Sequence, residues 1–272
     1  MKRLPLLLLM LAGGIFLTVK TMGSDNNTPP SKYERILQSV HVILTQGHYN
    51  PKAIDDAFSK QVFTKFLEDL DGEKNLFLQE DIKSLKKWET KIDEEIKGGP
   101  VEFFLEAGKI FNRRVDEASL LYKEILAQPF DFTVDETILT DRKNQPYPAT
   151  KAEQKELWRK KLKYLTLDRF VELQNIREKS KGDSGFVVKS DAELEKEARQ
   201  KVTQIMDRTF DRYKYKFNDD DKFNVFVNAI TTTMDPYTEF MPPVDKRYFD
   251  EQLSGSFFGI GASLVYDEGN IK

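Results

Sequence analysis

The chain has 272 residues, 39% of them hydrophobic and 32% charged, with 42 basic and 45 acidic side chains and a net charge of −3. The two signs are interleaved along the whole length, which leaves no basic face for nucleic acid. The absence of cysteine excludes disulfides, thiolate zinc sites, a cysteine nucleophile and a lipoprotein acyl anchor.

The first element is a targeting segment. Lys2 and Arg3 precede an uncharged apolar run, Leu4 to Val19, closed by Lys20. The run is shorter than the roughly 20 residues of a membrane-spanning helix. It fits a secretory signal peptide over residues 1–23, with the small residues Thr21 and Gly23 before the cleavage point. An uncleaved anchor and a buried helix are the alternatives. Residues 24–30 are polar, end in Pro29-Pro30 and read as a linker.

From Ser31 the hydrophobic period is that of a helix, and residues 31–250 read as one all-α body. Three helix starts carry capping-box spacing: Ser31/Glu34, Thr150/Glu153 and Ser190/Glu193. The predicted helices are Tyr33 to Gln46, Asp55 to Leu70, Asp81 to Lys97, Pro100 to Gln128, Lys151 to Lys179, Asp191 to Tyr215 and Asp221 to Thr233. Each has apolar residues at i, i+3, i+4 and i+7. The fourth is expected to begin at Pro100, where a missing N–H costs nothing. Pro129 to Ala149 is a proline-marked loop, and Lys181 to Lys189 a connector. Asp235-Pro236-Tyr237 is a turn, because proline forces its predecessor out of the α region. A short helix is expected from Asp245 to Leu253. Past Gly255 the period switches to that of a strand.

Little of this carries chemistry. His41 and His48 are the only histidines, and neither has partners at metal or general-base spacing. Asp69, Asp71, Glu73, Asn75 and Glu80 mimic some calcium-loop positions, but Lys74 stands where the sharp turn needs glycine, so the segment reads as a helix-ending loop with a solvated acidic edge. Asp219-Asp220-Asp221 reads as charge facing a helix N-terminus. Nucleophile elbow, phosphate loop and His-Glu-x-x-His are all missing, so no active site, metal or cofactor is expected. Phe258-Gly259-Ile260-Gly261 is the one candidate site. Successive N–H groups there can face a carboxylate, and the strand that follows offers an edge to a peptide. A plain strand-entry turn is the alternative.

Several blocks, in order, resemble a family. They are His48-Tyr49 with Ile54-Asp55-Asp56-Ala57-Phe58-Ser59; Pro129-Phe130-Asp131-Phe132-Thr133, Asp141-Arg142 and Pro146-Tyr147-Pro148; Leu157-Trp158; Asp235-Pro236-Tyr237-Thr238 with Met241-Pro242-Pro243; and Gly259-Ile260-Gly261-Ala262. Together they resemble the amino-terminal part of the bacterial periplasmic tail-specific proteases, or C-terminal processing peptidases. The resemblance implies a mainly α fold: a multi-helix N-terminal domain followed by the first strand of a PDZ domain that captures the C-terminal tails of substrate proteins. Residues 251–272 would be that PDZ start, with Phe258, Gly259, Ile260 and Gly261 as its carboxylate loop. The family's protease domain carries a serine–lysine dyad, in which a neutral lysine activates the serine. No serine or lysine of this chain matches it.

The expectation is therefore an N-terminal fragment of an exported, periplasmic serine endopeptidase, membrane-associated only if the N-terminal segment stays uncleaved. A non-enzymatic helical module that binds a partner or the full-length protease is the second reading. Ala262 to Tyr266 is expected to be an unpaired, apolar strand.

Overall fold

In the computed structural model, residues 31–182, 184–255, 266–267 and 270–271 are described. The targeting segment, the linker and the glycine loop at residues 258–261 lie outside them. Among the described residues there are nine α-helices and one two-stranded ladder, so the molecule is mainly helical.

The helix starts follow from their caps. Helix α1, Lys32–Val42, opens with a capping box: Ser31 Oγ accepts the Glu34 N–H at 3.3 Å, and the Glu34 carboxylate accepts the Ser31 N–H at 2.5 Å. A π-helical turn, Ile43–Gly47, ends it. Helix α2, Asp56–Leu70, is capped by Asp55, which accepts the Phe58 N–H at 3.0 Å. The expected stripe Phe58, Val62, Phe63, Phe66, Leu67 and Leu70 is buried along it.

The predicted helix from Asp81 to Lys97 is broken in two. Helix α3 is Gln79–Leu85, a 3-10 turn covers Lys86–Trp88, and α4 is Ile92–Ile96. Ser59 of α2 explains the break: its hydroxyl accepts the Asp93 N–H at 2.8 Å and donates to Asp93 Oδ1 at 2.9 Å. An amide that a continuous helix would bond internally is thus given to another helix. Helix α4 ends at Gly98-Gly99, directly after the expected last residue Lys97. The Gly98 N–H donates to the Glu95 carbonyl at 3.1 Å and the Gly99 N–H to that of Glu94 at 2.9 Å, a Schellman closure with Gly98 at φ +112°.

Helix α5, Phe103–Leu126, starts three residues after the expected Pro100. A side chain decides it: Glu95 Oε1 accepts the N–H groups of Glu102 at 3.0 Å and Phe103 at 2.7 Å. Helix α6, Lys151–Ser180, is capped by Thr150, whose Oγ1 accepts the Glu153 N–H at 3.1 Å, while the Glu153 carboxylate turns to the Ala149 N–H instead of closing the box. Helix α7, Asp191–Asp211, has the full Ser190/Glu193 box and runs into a π-helical turn, Arg212–Lys216. Helix α8, Asp219–Met234, begins with the Asp219-Asp220-Asp221 run in its first turn, as expected, capped by Asn218 Oδ1 at 2.8 and 3.2 Å from two N–H groups. Helix α9 is Pro243–Ser254.

The core is aromatic. Phe66 of α2, Phe103 and Phe104 of α5, and Phe223 and Phe226 of α8 form one cluster. Phe66 meets Phe226 at 5.0 Å, Phe104 meets Phe223 at 5.2 Å, and Tyr33 of α1 closes on Phe223 at 4.4 Å. Edge and offset contacts of this kind add about 0.5–1.5 kcal/mol per pair beyond area burial. Helix α6 joins the core only through its first half, where Trp158, Leu162 and Thr166 are buried. Past Thr166 it leaves the body beside α7 as a two-helix arm, tied at its end by Arg177 to Asp191 at 2.7 Å and to the Lys189 carbonyl at 2.9 Å.

The strand β1, Tyr266–Asp267, pairs antiparallel with β2, Asn270–Ile271: Tyr266 faces Ile271 and Asp267 faces Asn270. The expected strand was unpaired, so its last residue departs from that reading. Residues 262–265 lie outside the described ones.

Candidate functional site

Phe258, Gly259, Ile260 and Gly261 lie outside the described residues, so the site is approached from the segment that leads to them. Helix α8 stops at Met234, and Asp235 turns to φ −154°, ψ 135°, the extended geometry that Pro236 requires. The Asp235 carboxylate accepts the Tyr237 N–H at 2.9 Å, which with nearby Tyr49 holds it below the usual carboxylate range. Thr238 N–H closes the turn on the Asp235 carbonyl at 3.0 Å.

The residues after α1 grip this turn. His48 Nδ1 accepts the Asn50 N–H at 3.2 Å, which leaves Nε2 to donate to Thr238 Oγ1 at 3.2 Å. Tyr49 Oη donates to Asp235 at 3.1 Å. Lys52 Nζ donates to the Thr233 carbonyl at 2.8 Å, satisfying one open carbonyl of the α8 terminus. Further on, Asn228 bonds Phe240 twice, accepting its N–H at 2.8 Å and donating to its carbonyl at 3.1 Å. Two blocks read separately in the sequence, 48–49 and 235–238, are therefore one constellation. His48 is a positioning residue of the exit turn rather than a free surface histidine.

A second constellation joins loop 71–78 to the 129–149 segment. Asp71 is buried and accepts N–H groups of Asn75, Leu76 and Phe77 at 2.9–3.0 Å. Burial pushes its carboxyl up, against the pull of those three amides. Here the expected solvated acidic edge is corrected: its central carboxylate folds the loop. Lys74 does take the left-handed turn, at φ 50°, with its Nζ on the Lys143 carbonyl at 2.6 Å. Trp158 Nε1 and Gln154 Nε2 both donate to the Asn75 carbonyl, at 2.9 and 3.1 Å, so the Leu157-Trp158 block pins this loop to α6. Across α6 lies the 129–149 strap, fastened by Glu136, which accepts from Lys163 at 2.5 Å and from Arg159 at 3.2 Å. Arg159 first and then Lys163 hold the Glu136 carboxyl down at about 2.

Among the described residues, one lysine bonds a serine hydroxyl. Lys214 Nζ donates to Ser119 Oγ at 2.7 Å, and Ser119 donates its own proton to the Asp116 carbonyl at 2.7 Å. The Lys214 ammonium is also ion-paired to Asp116 at 2.9 Å. A general base must receive the serine proton, and here that proton goes to the Asp116 carbonyl instead, so this pair is a structural tie between α5 and the turn after α7. Among the described residues no group of three or more His, Cys, Asp or Glu side chains could hold a metal ion, and no helix is long and apolar enough to cross a membrane.

Arg114 and Glu95 are two of the buried ionisable groups that escaped the sequence reading. Arg114 is 2% exposed and grips Asp81 with two bonds, 2.7 and 3.0 Å, plus Glu80 at 2.6 Å and Glu117 at 2.7 Å. Desolvation opposes its charge, but the carboxylates prevail and raise its pKa. Its place, four residues from both Ile110 and Ala118, puts it on the apolar stripe of α5, a signal that was available. Glu95 is buried beside Ile96, and its Oε2 has no partner. Burial raises its carboxyl to about 7 despite the two amides on Oε1.

Comparison with known sequences completes the picture. The family described as "Tail specific protease N-terminal domain" matches residues 40–244, from inside α1 to the start of α9. A tail-specific protease of Haemophilus influenzae is 27% identical over 230 residues, 84% of this chain and 30% of that protein. The chain thus spans under a third of the length of that relative.

Proposed function

Because the chain belongs to the family of tail-specific protease N-terminal domains, we propose that it is the helical N-terminal domain of an exported serine endopeptidase that degrades or processes proteins recognised by an apolar C-terminus. The observation that carries this reading is the coincidence of the family match with the packed helical body, α1 to the start of α9. Residues 1–23 direct the chain to the periplasm. Residues 251–272 open a PDZ domain in which Phe258 to Gly261 cradle the carboxylate of the substrate tail and Ile260 lines the pocket for its last side chain. The serine–lysine dyad belongs to a further portion of the longer protein, outside these 272 residues. The clamp of His48, Tyr49 and Lys52 on residues 233–238 supports the domain's part in this, because it fixes the direction in which the chain leaves the helical body.

The test compares the 272-residue chain with the product of the open reading frame continued past Lys272. Each is incubated with an unstructured protein ending in apolar residues and with the same protein ending in charged ones. The continued product is expected to cut the first and spare the second, and the 272-residue chain to cut neither. Cleavage by the short chain would overturn the placement of the dyad; indifference to the tail would overturn the PDZ assignment. A stop codon after Lys272, with stable protein in the cell, would favour the non-enzymatic helical module.

A further inference from the structure

The strap across α6 is unusual in its backbone. From Asp135 to Leu139 it forms neither helix nor strand, and none of the peptide N–H or C=O groups from Asp135 to Thr140 has a hydrogen-bond partner among the described residues. Glu136, though exposed, is ion-paired to α6, and Ile138 is the one half-buried residue from Asp135 to Thr140. The segment is held to the protein through these side chains while its peptide groups stay free. A free edge of unpaired peptide groups is a template for another strand.

Beside this edge lies a cleft of about 490 Å³, floored by Leu157, Tyr164 and Leu165 and walled by Ile138 and Leu139. A smaller one of about 280 Å³ shares Ile138, Lys160 and Tyr164 with it and continues toward Phe132 and Leu167. The depression therefore runs past Tyr164 in both directions and does not end there. The larger cleft carries a cationic excess, with Arg142, Lys160 and Lys161 against Glu73, whereas the smaller one is mixed, with Asp135 and Glu136 beside Lys160 and Lys163. Lys161 is bonded to Glu73, while Lys160 has no hydrogen bond or close ion pair among the described residues and acts on Glu156 only electrostatically. Arg142 spends one N–H on the Pro146 carbonyl, at 3.3 Å, and its Nε is buried without a partner.

We propose that this cleft binds an internal, extended segment of another protein in which apolar and acidic residues alternate. The segment pairs its backbone with the edge from Asp135 to Thr140, seats apolar side chains over Tyr164 and Leu165, and places carboxylates against Arg142 and Lys160. The open-ended course of the depression favours a through-going chain over a terminal one. The site shares no residue with the PDZ loop proposed above, and it stands or falls independently of that reading.

The test is fluorescence anisotropy of the 272-residue chain with a fluorescein-labelled, C-amidated nonapeptide of alternating valine and glutamate. Saturable binding is expected. It should weaken about tenfold when Arg142→Gln and Lys160→Gln are combined, and by a similar factor when lysine replaces glutamate in the peptide. N-methylation of alternate peptide amides should weaken it by about tenfold as well, because it removes the pairing donors. An unchanged thermal melt of the double variant will show that the fold is intact. Absence of saturable binding, equal affinity for the lysine peptide, or an unaffected double variant each overturns the proposal. Indifference to N-methylation overturns the edge pairing, and about tenfold tighter binding of the free-acid peptide overturns the internal register in favour of a C-terminal one.

Discussion

Glu95 is the side chain whose state most depends on conditions. Its Oε1 starts α5 and its Oε2 is buried unpartnered, so the neutral form is favoured and the carboxyl is raised to about 7 by burial. The folded state therefore holds a proton over a range in which the unfolded chain, near the ordinary glutamate value, has released it. Stability from this group is full below that ordinary value and is lost as pH rises toward 7, by on the order of 3 kcal/mol. Glu95→Gln keeps the acceptor and cannot ionise. Urea unfolding from pH 4.5 to 7.5 is expected to give a flatter stability profile for the variant; parallel profiles would remove Glu95 as the cause. Arg114 poses the opposite case. Arg114→Met leaves Asp81 buried with Arg113 as its remaining cation, and is expected to cost about 3 kcal/mol in the same measurement. A loss under 1 kcal/mol, roughly the worth of an exposed pair, would mean that the network is solvated.

At the scale of elements, the boundaries that were legible in the sequence are those set by local chemistry. Asp55, Ser31, Ser190 and the Asp219 run mark starts that depend on side chains within a turn of the backbone they cap. The two departures that change the helix pattern most have causes more than a turn away. Ser59 breaks the segment between α3 and α4 from 34 residues away, and Glu95 moves the start of α5 past Pro100. Periodicity cannot report either, because Leu85, Trp88, Ile92 and Ile96 are buried whether or not the helix is continuous. For the same reason Asp71 read as a surface acid: its amide partners follow it, but its burial comes from α6 and the strap. The candidate loop at residues 258–261 was legible only as a glycine pattern, and the described residues do not reach it. The close of α4 offers a sharp test. A Cβ at Gly99 would sit 2.9 Å from the Glu94 carbonyl oxygen, a backbone atom that cannot swing aside. Gly99→Ala is expected to lower stability by about 1–3 kcal/mol through that overpacking, measured by thermal melting. A neutral outcome would show that the Schellman turn has slack.

At the scale of the molecule, the body and its appendages differ in how much they bury. Residues 245–250 of α9 are exposed, while α2, α5 and α8 share the aromatic cluster. Ending the chain at Pro242, before α9, is therefore expected to cost only that helix's share of the circular dichroism signal and to leave the melting temperature within about 3 °C. A larger fall would show that the last segment braces the helices. The aromatic cluster also sets a clock. Phe66 and Phe226 touch at 5.0 Å although 160 residues separate them (226 minus 66). A chain that emerges N-terminus first presents α2 and α5 before α8. Until α8 follows, Phe66, Phe103 and Phe104 have no Phe226 to close over them, so the emerging chain carries an open apolar groove. A helical protein whose contacts are mostly local needs no such wait. This one completes its core with the last helix the family match fully contains, and its vulnerable period is set by the delivery of that helix rather than by the speed of helix formation.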